Sequence, residues 1–312
     1  MSVGHTTPPP VAVAYALPKQ FNILRLDIEL RALEQVHLPE FAGSTVRGAL
    51  GQALHRIVCL CNNIKCQDCA LQPACWYARL YEPAPVTRCP LLHQGYTDAP
   101  IPFVPEIAYA GNNLSPGMLF KLGLVLFGKA QAEAIPFLIQ AVERLGAFGL
   151  GRGRGKLELV GWSVIEQWDP DPWQPPELCT TVKVILHTPL RLRVDNRIVS
   201  PEHFEFRPFF MTLLRRLSLL TCCYGNTVLE LDFKGLARQT AQVVVTERNL
   251  RWLQWARYTT TQKRYVDMDG LIGEFYLDLS KAQELYPYLW VGQWLHVGKG
   301  ASMGMGGYSL CK

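Results

Sequence analysis

The chain has 312 residues, of which 49% are hydrophobic, 18% charged and 11% aromatic. That balance excludes a disordered polar chain, and the length allows two domains of about 150 residues each. A formal net charge of +5 favours an anionic partner, but where the cations cluster matters more than their sum.

Met1 to Gln20 lacks the basic start and apolar core of a signal peptide, and Pro8, Pro9 and Pro10 interrupt it, so it reads as a flexible or extended lead-in. The apolar run Met118 to Gly128 is broken by Lys121 and falls short of the roughly 18 residues needed to cross a bilayer. The expectation is a soluble cytoplasmic protein, in which ten cysteines point to metal binding or reduced thiols rather than disulfides.

Asn22 to Leu30 alternates apolar and polar residues as a half-buried strand does. In the helix expected next, Ser44 or Thr45 is the capping candidate. Val46, Ala49, Leu50, Ala53, Leu54, Ile57 and Val58 recur at the three-and-four spacing of a buried face. Arg47, Gly51 and His55 fall on a different stripe. After a cysteine-rich loop the pattern predicts strands at Phe103–Tyr109 and Met118–Phe127, a helix from about Ala130 to Leu145, and a strand at Lys156–Val160. The order β-α-β-β-α-β is the ferredoxin-like one.

Four prolines in DPDPWQPPELCT mark a boundary. Beyond it a strand is predicted at Val182–His187 and a helix from about Pro201 to Cys222. Strands follow at Gln242–Thr246 and Ile272–Leu279, then a short helix near Leu279–Leu289 and a last strand at Gly307–Leu310. The expected fold is therefore α+β, with two tandem ferredoxin-like domains and a cysteine-rich insertion in the first. The division is an N-terminal extension (1–20), domain 1 (21–165, with the cysteine-rich loop at 59–82), a proline-rich linker (166–180) and domain 2 (181–312).

Each half closes with a glycine-rich segment before its last strand, GAFGLGRGRGK and GKGASMGMGGY. Glycine lets backbone N–H groups approach phosphates, with Arg152 and Arg154 supplying charge in the first loop and Lys299 in the second. Neither loop has a Gly-Lys-Ser/Thr ending, which disfavours a mononucleotide enzyme. Further cations lie at Arg191, Arg193 and Arg197, and at Arg257, Lys263 and Arg264 in the aromatic-rich WARYTTTQKRY, a composition suited to stacking bases and holding phosphates.

Cys61, Cys66, Cys69 and Cys75 have the spacing C-x4-C-x2-C-x5-C, so four thiolates could surround one tetrahedral structural zinc, with Cys59 able to replace Cys61. An iron–sulfur cluster or plain reduced thiols are the alternatives, and adjacent Cys222 and Cys223 fit the last of these.

The segments FAGSTVRGALGQALHRIVCL, CNNIKCQDCALQPACWYARLYEP, GLGRGRGKLEL, WARYTTTQKRYVDMDGLIGEF and LHVGKGASMGMGGYSL occur in this order. Together they resemble the CRISPR-associated repeat-processing endoribonucleases of the RAMP superfamily, from about residue 22 to the C-terminus. The resemblance implies a prokaryotic protein with paired ferredoxin-like domains that binds CRISPR repeat RNA and works alone or with other interference subunits. It implies cleavage without a catalytic metal, in which the RNA's 2′-hydroxyl attacks the neighbouring phosphate and leaves 2′,3′-cyclic phosphate and 5′-hydroxyl ends.

Such a reaction needs a general base, a general acid and cations around the phosphorane. Among seven histidines the resemblance makes His55 the first candidate, since similar enzymes draw a catalytic histidine from the first helix or the loop leading to it; His55 also shares a helix stripe with Arg47, and His37, in the loop before the helix, is the second. His296, beside Lys299, Gly304 and Gly306 in the terminal loop, either contacts RNA or braces the loop. Two other functions fit parts of the pattern: a non-catalytic guide-RNA-binding subunit, and a zinc-stabilised protein-interaction module.

Overall fold

The computed structural model describes Leu17 and residues 21–61, 64–84, 89, 99–108, 113–177, 180–225, 229–259 and 264–311. Apart from Leu17, the expected N-terminal extension lies outside the described residues, as does Tyr109.

β1 (Ile23–Ala32) realises the alternation read from the sequence: Leu24, Leu26, Ile28 and Leu30 are buried on one face, while Arg25, Asp27 and Glu29 stand on the other. β2 (Val36–His37) leads into α1 (Gly43–Val58), which begins after Ala42 with no side-chain cap, so Ser44 and Thr45 lie in its first turn rather than capping it. α2 (Trp76–Tyr81) folds within the cysteine-rich loop. β3 (Phe103–Ala108), β4 (Asn113–Leu114) and β5 (Leu119–Phe127) follow, with β4 paired to β2. The helix expected as one piece is divided: a 3-10 segment at Lys129–Ala134 precedes α3 (Ile135–Phe148), whose Pro136 stands in the first turn where its missing N–H costs nothing. β6 (Leu157–Ile165) completes an antiparallel sheet of order β3-β5-β1-β6, the ferredoxin-like order, with α1 and α3 packed on it.

The second half runs β7 (Thr181–Leu190), β8 (Arg193–Val194), β9 (Arg197–Ile198), α4 (Phe206–Tyr224), α5 (Phe233–Gln239), β10 (Val244–Leu253), β11 (Ala256–Thr259), β12 (Arg264–Asp267), β13 (Gly270–Asp278), α6 (Tyr286–Leu295) and β14 (Tyr308–Cys311). Its main sheet, β10-β13-β7-β14, repeats the first in order and direction, and β11–β12 is a separate hairpin. α6 starts later than expected: a 3-10 turn occupies Gln283–Leu285, and Pro287 again marks the first helical turn.

The halves share core. Ile23, Val104, Val125 and Phe127, at one end of the first sheet, pack with the cluster around Phe209, Phe275 and Leu289 of the second. Each such side chain contributes roughly 1.5–3 kcal/mol by leaving water. The proline-rich stretch is also packed down, for Trp168 Nε1 donates to the Ile23 carbonyl (2.8 Å) and Trp290 Nε1 to that of Asp171 (2.9 Å). Cys222, expected as a reduced thiol, pairs instead with Cys89, 133 residues away and 5.7 Å between Cα atoms. A partner so distant in sequence is set by tertiary packing, not by local spacing. Among the described residues no helix is long and apolar enough to cross a membrane.

Candidate functional site

The first glycine-rich loop is fastened to β2. Gly151 and Gly153 lie at φ 73° and 86°, and Arg154 itself at φ 55°. A Cβ on Gly151 would strike the His37 carbonyl, which accepts the Arg152 N–H at 2.9 Å. The Arg154 N–H is likewise occupied, by the Gly151 carbonyl. The backbone N–H groups of Arg152 and Arg154 are thus engaged within the fold. What the loop offers outward is the exposed side chains of Arg152 and Arg154.

This docking places Arg152 beside His37. The His37 ring is exposed, and its Nδ1 lies 2.6 Å from Asn113 Oδ1 on β4. A carboxamide oxygen can only accept, so in this contact Nδ1 is the donor, and Nε2 is the ring nitrogen turned away from Asn113. Among the described residues nothing engages Nε2.

His55 is placed differently. The Arg47, Gly51, His55 stripe of α1 is covered by α2: Arg47 lies 5.1 Å over the Tyr81 ring, Gly51 leaves room for Tyr81, and His55 meets Tyr77 edge-on at 4.6 Å. Tyr81, buried against Arg47, has its hydroxyl pushed out of the accessible range and donates to the Arg47 carbonyl at 3.2 Å. His55 thus packs against α2 while His37 stands by β4 and the first glycine-rich loop, and the polar stripe that the periodicity set apart is a packing surface for α2.

In the second half, Arg191 donates to the Asp267 carbonyl (2.8 Å), and its own carbonyl accepts the Lys299 N–H (2.9 Å). Lys299 is exposed, and burial together with Arg193 and Arg191 holds its ammonium below the usual lysine range. Arg191, Arg193 and Lys299 thus form one cationic patch, with Arg197 exposed on β9. Arg257 and Arg264 stand on the hairpin, and Lys263 lies outside the described residues. Phe41, four residues after His37, packs on Trp255 at 5.1 Å. Four residues span at most about 14 Å, so the hairpin meets the segment between β2 and α1 within that reach of His37.

His296, Gly304 and Gly306 do not present themselves outward. His296 is 4% exposed, with Nδ1 3.1 Å from the Met305 carbonyl. Gly304 and Gly306 are buried, where a Cβ would meet the carbonyls of Pro105 and Val297 respectively. Gly304 closes against β3 of the first half, while His296 and Gly306 close the loop on itself. His296 Nε2 also faces Glu106 Oε1 at 3.8 Å, and Glu106 Oε2 pairs with Arg25 at 2.6 Å. Burial would raise the Glu106 carboxyl, but His296 and Arg25 outweigh it and hold it below the usual carboxylate range. A lowered native value stabilises the fold above the ordinary carboxylate pKa, and that stability is lost as pH falls through the native one. Glu106→Gln is therefore expected to cost roughly 1–3 kcal/mol at neutral pH and less at acid pH, read from melting curves across pH.

Neither Asn113 nor Glu106 was legible as functional; an acid inside the apolar strand FVPEIA was the one available signal. The Glu106 and His296 side chains open onto a cleft of about 870 Å³ between the sheets, lined among others by Arg25, Asp27, Glu29, Lys121 and Trp162.

The cysteines expected as zinc ligands are gathered in one place but, among the described residues, are not arranged as a ligand set. Cys59, Cys61, Cys66, Cys69 and Cys75 line one apolar pocket of about 230 Å³. Among the described residues, however, no three His, Cys, Asp or Glu side chains come together as metal ligands. Cys61 hydrogen-bonds to Cys69, while Cys66 turns toward Glu82 and is pushed up to about 11 by burial and that carboxylate. Spacing brought the thiols to one loop, but the 3-10 turn at Cys66–Asp68 and the start of α2 after Cys75 set their directions.

Two family models match in tandem: one described as an N-terminal domain over residues 21–177, and that of the CRISPR-associated endoribonuclease Cas6 over residues 184–308. The chain is similar to the solved Cas6 (TTHB231) product complex at 16% identity, covering 93% of this chain and 99% of that one, with a TM-score of 0.58. It is similar to the Cas6 (TTHA0078) product complex at 16% identity, covering 93% and 100%, with a TM-score of 0.51. A partial Cas6-RT-Cas1–Cas2 complex matches at 11% identity over 95% of this chain and 47% of that one, with a TM-score of 0.58. At these identities the structural likeness is one of fold, tandem ferredoxin-like domains. No curated protein matches the sequence.

Proposed function

Since this chain belongs to the CRISPR-associated RAMP proteins of Cas6 type, which process repeat RNA, we propose that it is an endoribonuclease that cuts CRISPR precursor RNA within its repeats to release guide RNAs. Its partners are the repeat RNA and its product, with other CRISPR-associated proteins as secondary partners. The observation that carries the reading is His37: exposed, oriented by Asn113, with Nε2 open to a substrate, on the same backbone that seats Arg152.

The reaction needs no metal or cofactor, because the nucleophile belongs to the substrate. His37 Nε2 takes the proton of a 2′-hydroxyl as its oxygen bonds to the adjacent phosphorus. The bond from phosphorus to the 5′-oxygen breaks, and that oxygen takes a proton from a general acid or water. Arg152 and Arg154 neutralise charge gathering on the phosphorane oxygens. His55, against Tyr77, holds α2 in place in this account. End analysis tests the chemistry: the upstream fragment should carry a 2′,3′-cyclic phosphate and the downstream one a 5′-hydroxyl, whereas 3′-hydroxyl and 5′-phosphate ends would refute it.

Arg152 and Arg154, Arg191, Arg193 and Lys299, with the hairpin cations Arg257, Lys263 and Arg264, would follow the RNA backbone. Replacing Arg152 and Arg154 together by alanine should weaken binding and reduce the slope of log affinity against log salt by about 0.7–0.9 for each phosphate no longer neutralised. An unchanged slope would remove the first loop from the binding path.

A further inference from the structure

The geometry points to an anion clamp in which Arg47 of the first domain and Arg257 of the second close together on one phosphodiester of the RNA backbone. This deepens the proposed function and rests on its RNA substrate. Arg47 projects from α1 over the Tyr81 ring, and its Nε is buried without a hydrogen-bond partner among the described residues. Arg257 projects from β11, and its Nε is also buried and, among the same residues, without a partner. Trp255, two residues before Arg257, packs on Phe41 at the entrance to α1, which brings the hairpin over that helix.

The two guanidinium groups are near enough to feel each other. Burial first, and then the charge of Arg257, hold Arg47 below the usual arginine range, and the other groups acting on it are the hydroxyls of Tyr81 and Tyr77. Among the described residues no carboxylate acts on Arg47. Two like charges, each with a buried Nε that has no hydrogen-bond partner among the described residues, would gain from an anion placed between them. A phosphodiester suits that place, since guanidinium forks match its oxygens and each bond is charge-assisted. The neighbouring patch of Arg191, Arg193 and Lys299 favours a polyanion over a single carboxylate. Because the two arms come from different domains, an RNA seated here ties the hairpin to α1.

The test is a double-mutant cycle in the full chain with Arg47→Lys, which keeps the charge but not the fork, and Arg257→Ala on the hairpin. Repeat RNA binding is measured for each variant. Each single change should weaken binding about tenfold, and the pair together little more than either alone, because the two share one phosphate. Unchanged affinity in Arg257→Ala, or fully additive losses, would overturn the clamp while leaving the RNA reading intact. Sulfate as a probe separates the other failure. If sulfate raises the melting temperature of the natural chain but not that of Arg257→Ala, the anion site holds even where repeat RNA is not the substrate. Equal protection of both would overturn it.

Discussion

Replacing His37 by alanine should slow single-turnover cutting of the cognate repeat RNA by about 10²–10⁴-fold, the usual contribution of a positioned acid or base, with RNA affinity nearly unchanged. The ring is exposed and contributes one hydrogen bond to the fold, so little stability depends on it. The same replacement at His55 should act through the fold instead, loosening α2 by removing the packing against Tyr77. If His55→Ala cut like the natural chain while His37→Ala was inert, the two roles would be separated as argued. The reverse result would return the catalytic role to the α1 stripe and mean that α2 leaves it when RNA binds.

The second large effect is expected at Gly151. An alanine there would be forced to φ near 73° and its Cβ driven into the His37 carbonyl, so either the backbone strains or His37 moves. Holding a non-glycine residue in this region costs about 1–3 kcal/mol. Gly153→Ala is the control, since it takes the same kind of conformation (φ 86°) but meets nothing within 4 Å. Both variants should lose stability in thermal melts, but only Gly151→Ala should also lose cutting in excess of its unfolded fraction. Equal cutting by the two would show that the loop does not position His37.

The fold was largely legible because its two periods are. Alternation in ILRLDIEL and the three-and-four spacing in VRGALGQALHRIV each follow from one buried face, and the same faces recur after the prolines. Local turns were not: α2 is six residues with no period to read, and Pro287 sets the start of α6 against a sequence that looks helical earlier.

The site was legible only as a set of residue types. His37 was the second candidate because what distinguishes it comes from elsewhere: Asn113 is 76 residues on, and Arg152 lies in a loop that closes the domain. His55 comes first because the resemblance points to a histidine of the first helix or the loop before it; its stripe with Arg47 also reads as a polar face, and nothing in the spacing says that WYARLY folds back over it. A glycine-rich loop that cradles phosphate and one that lets backbone approach backbone, as at Gly151, Gly304 and Gly306, look identical in one dimension.

In the proposed reaction the RNA supplies its own nucleophile. This is tested most directly by single-turnover cleavage of the cognate repeat RNA in EDTA, beside the same RNA carrying a 2′-deoxy nucleotide at the cut site. The natural RNA should be cut fully in EDTA and the deoxy substrate not at all. Cutting of the deoxy substrate, or its dependence on added metal, would contradict the mechanism, and tight binding of both RNAs without cutting would make the chain a guide-RNA-holding subunit.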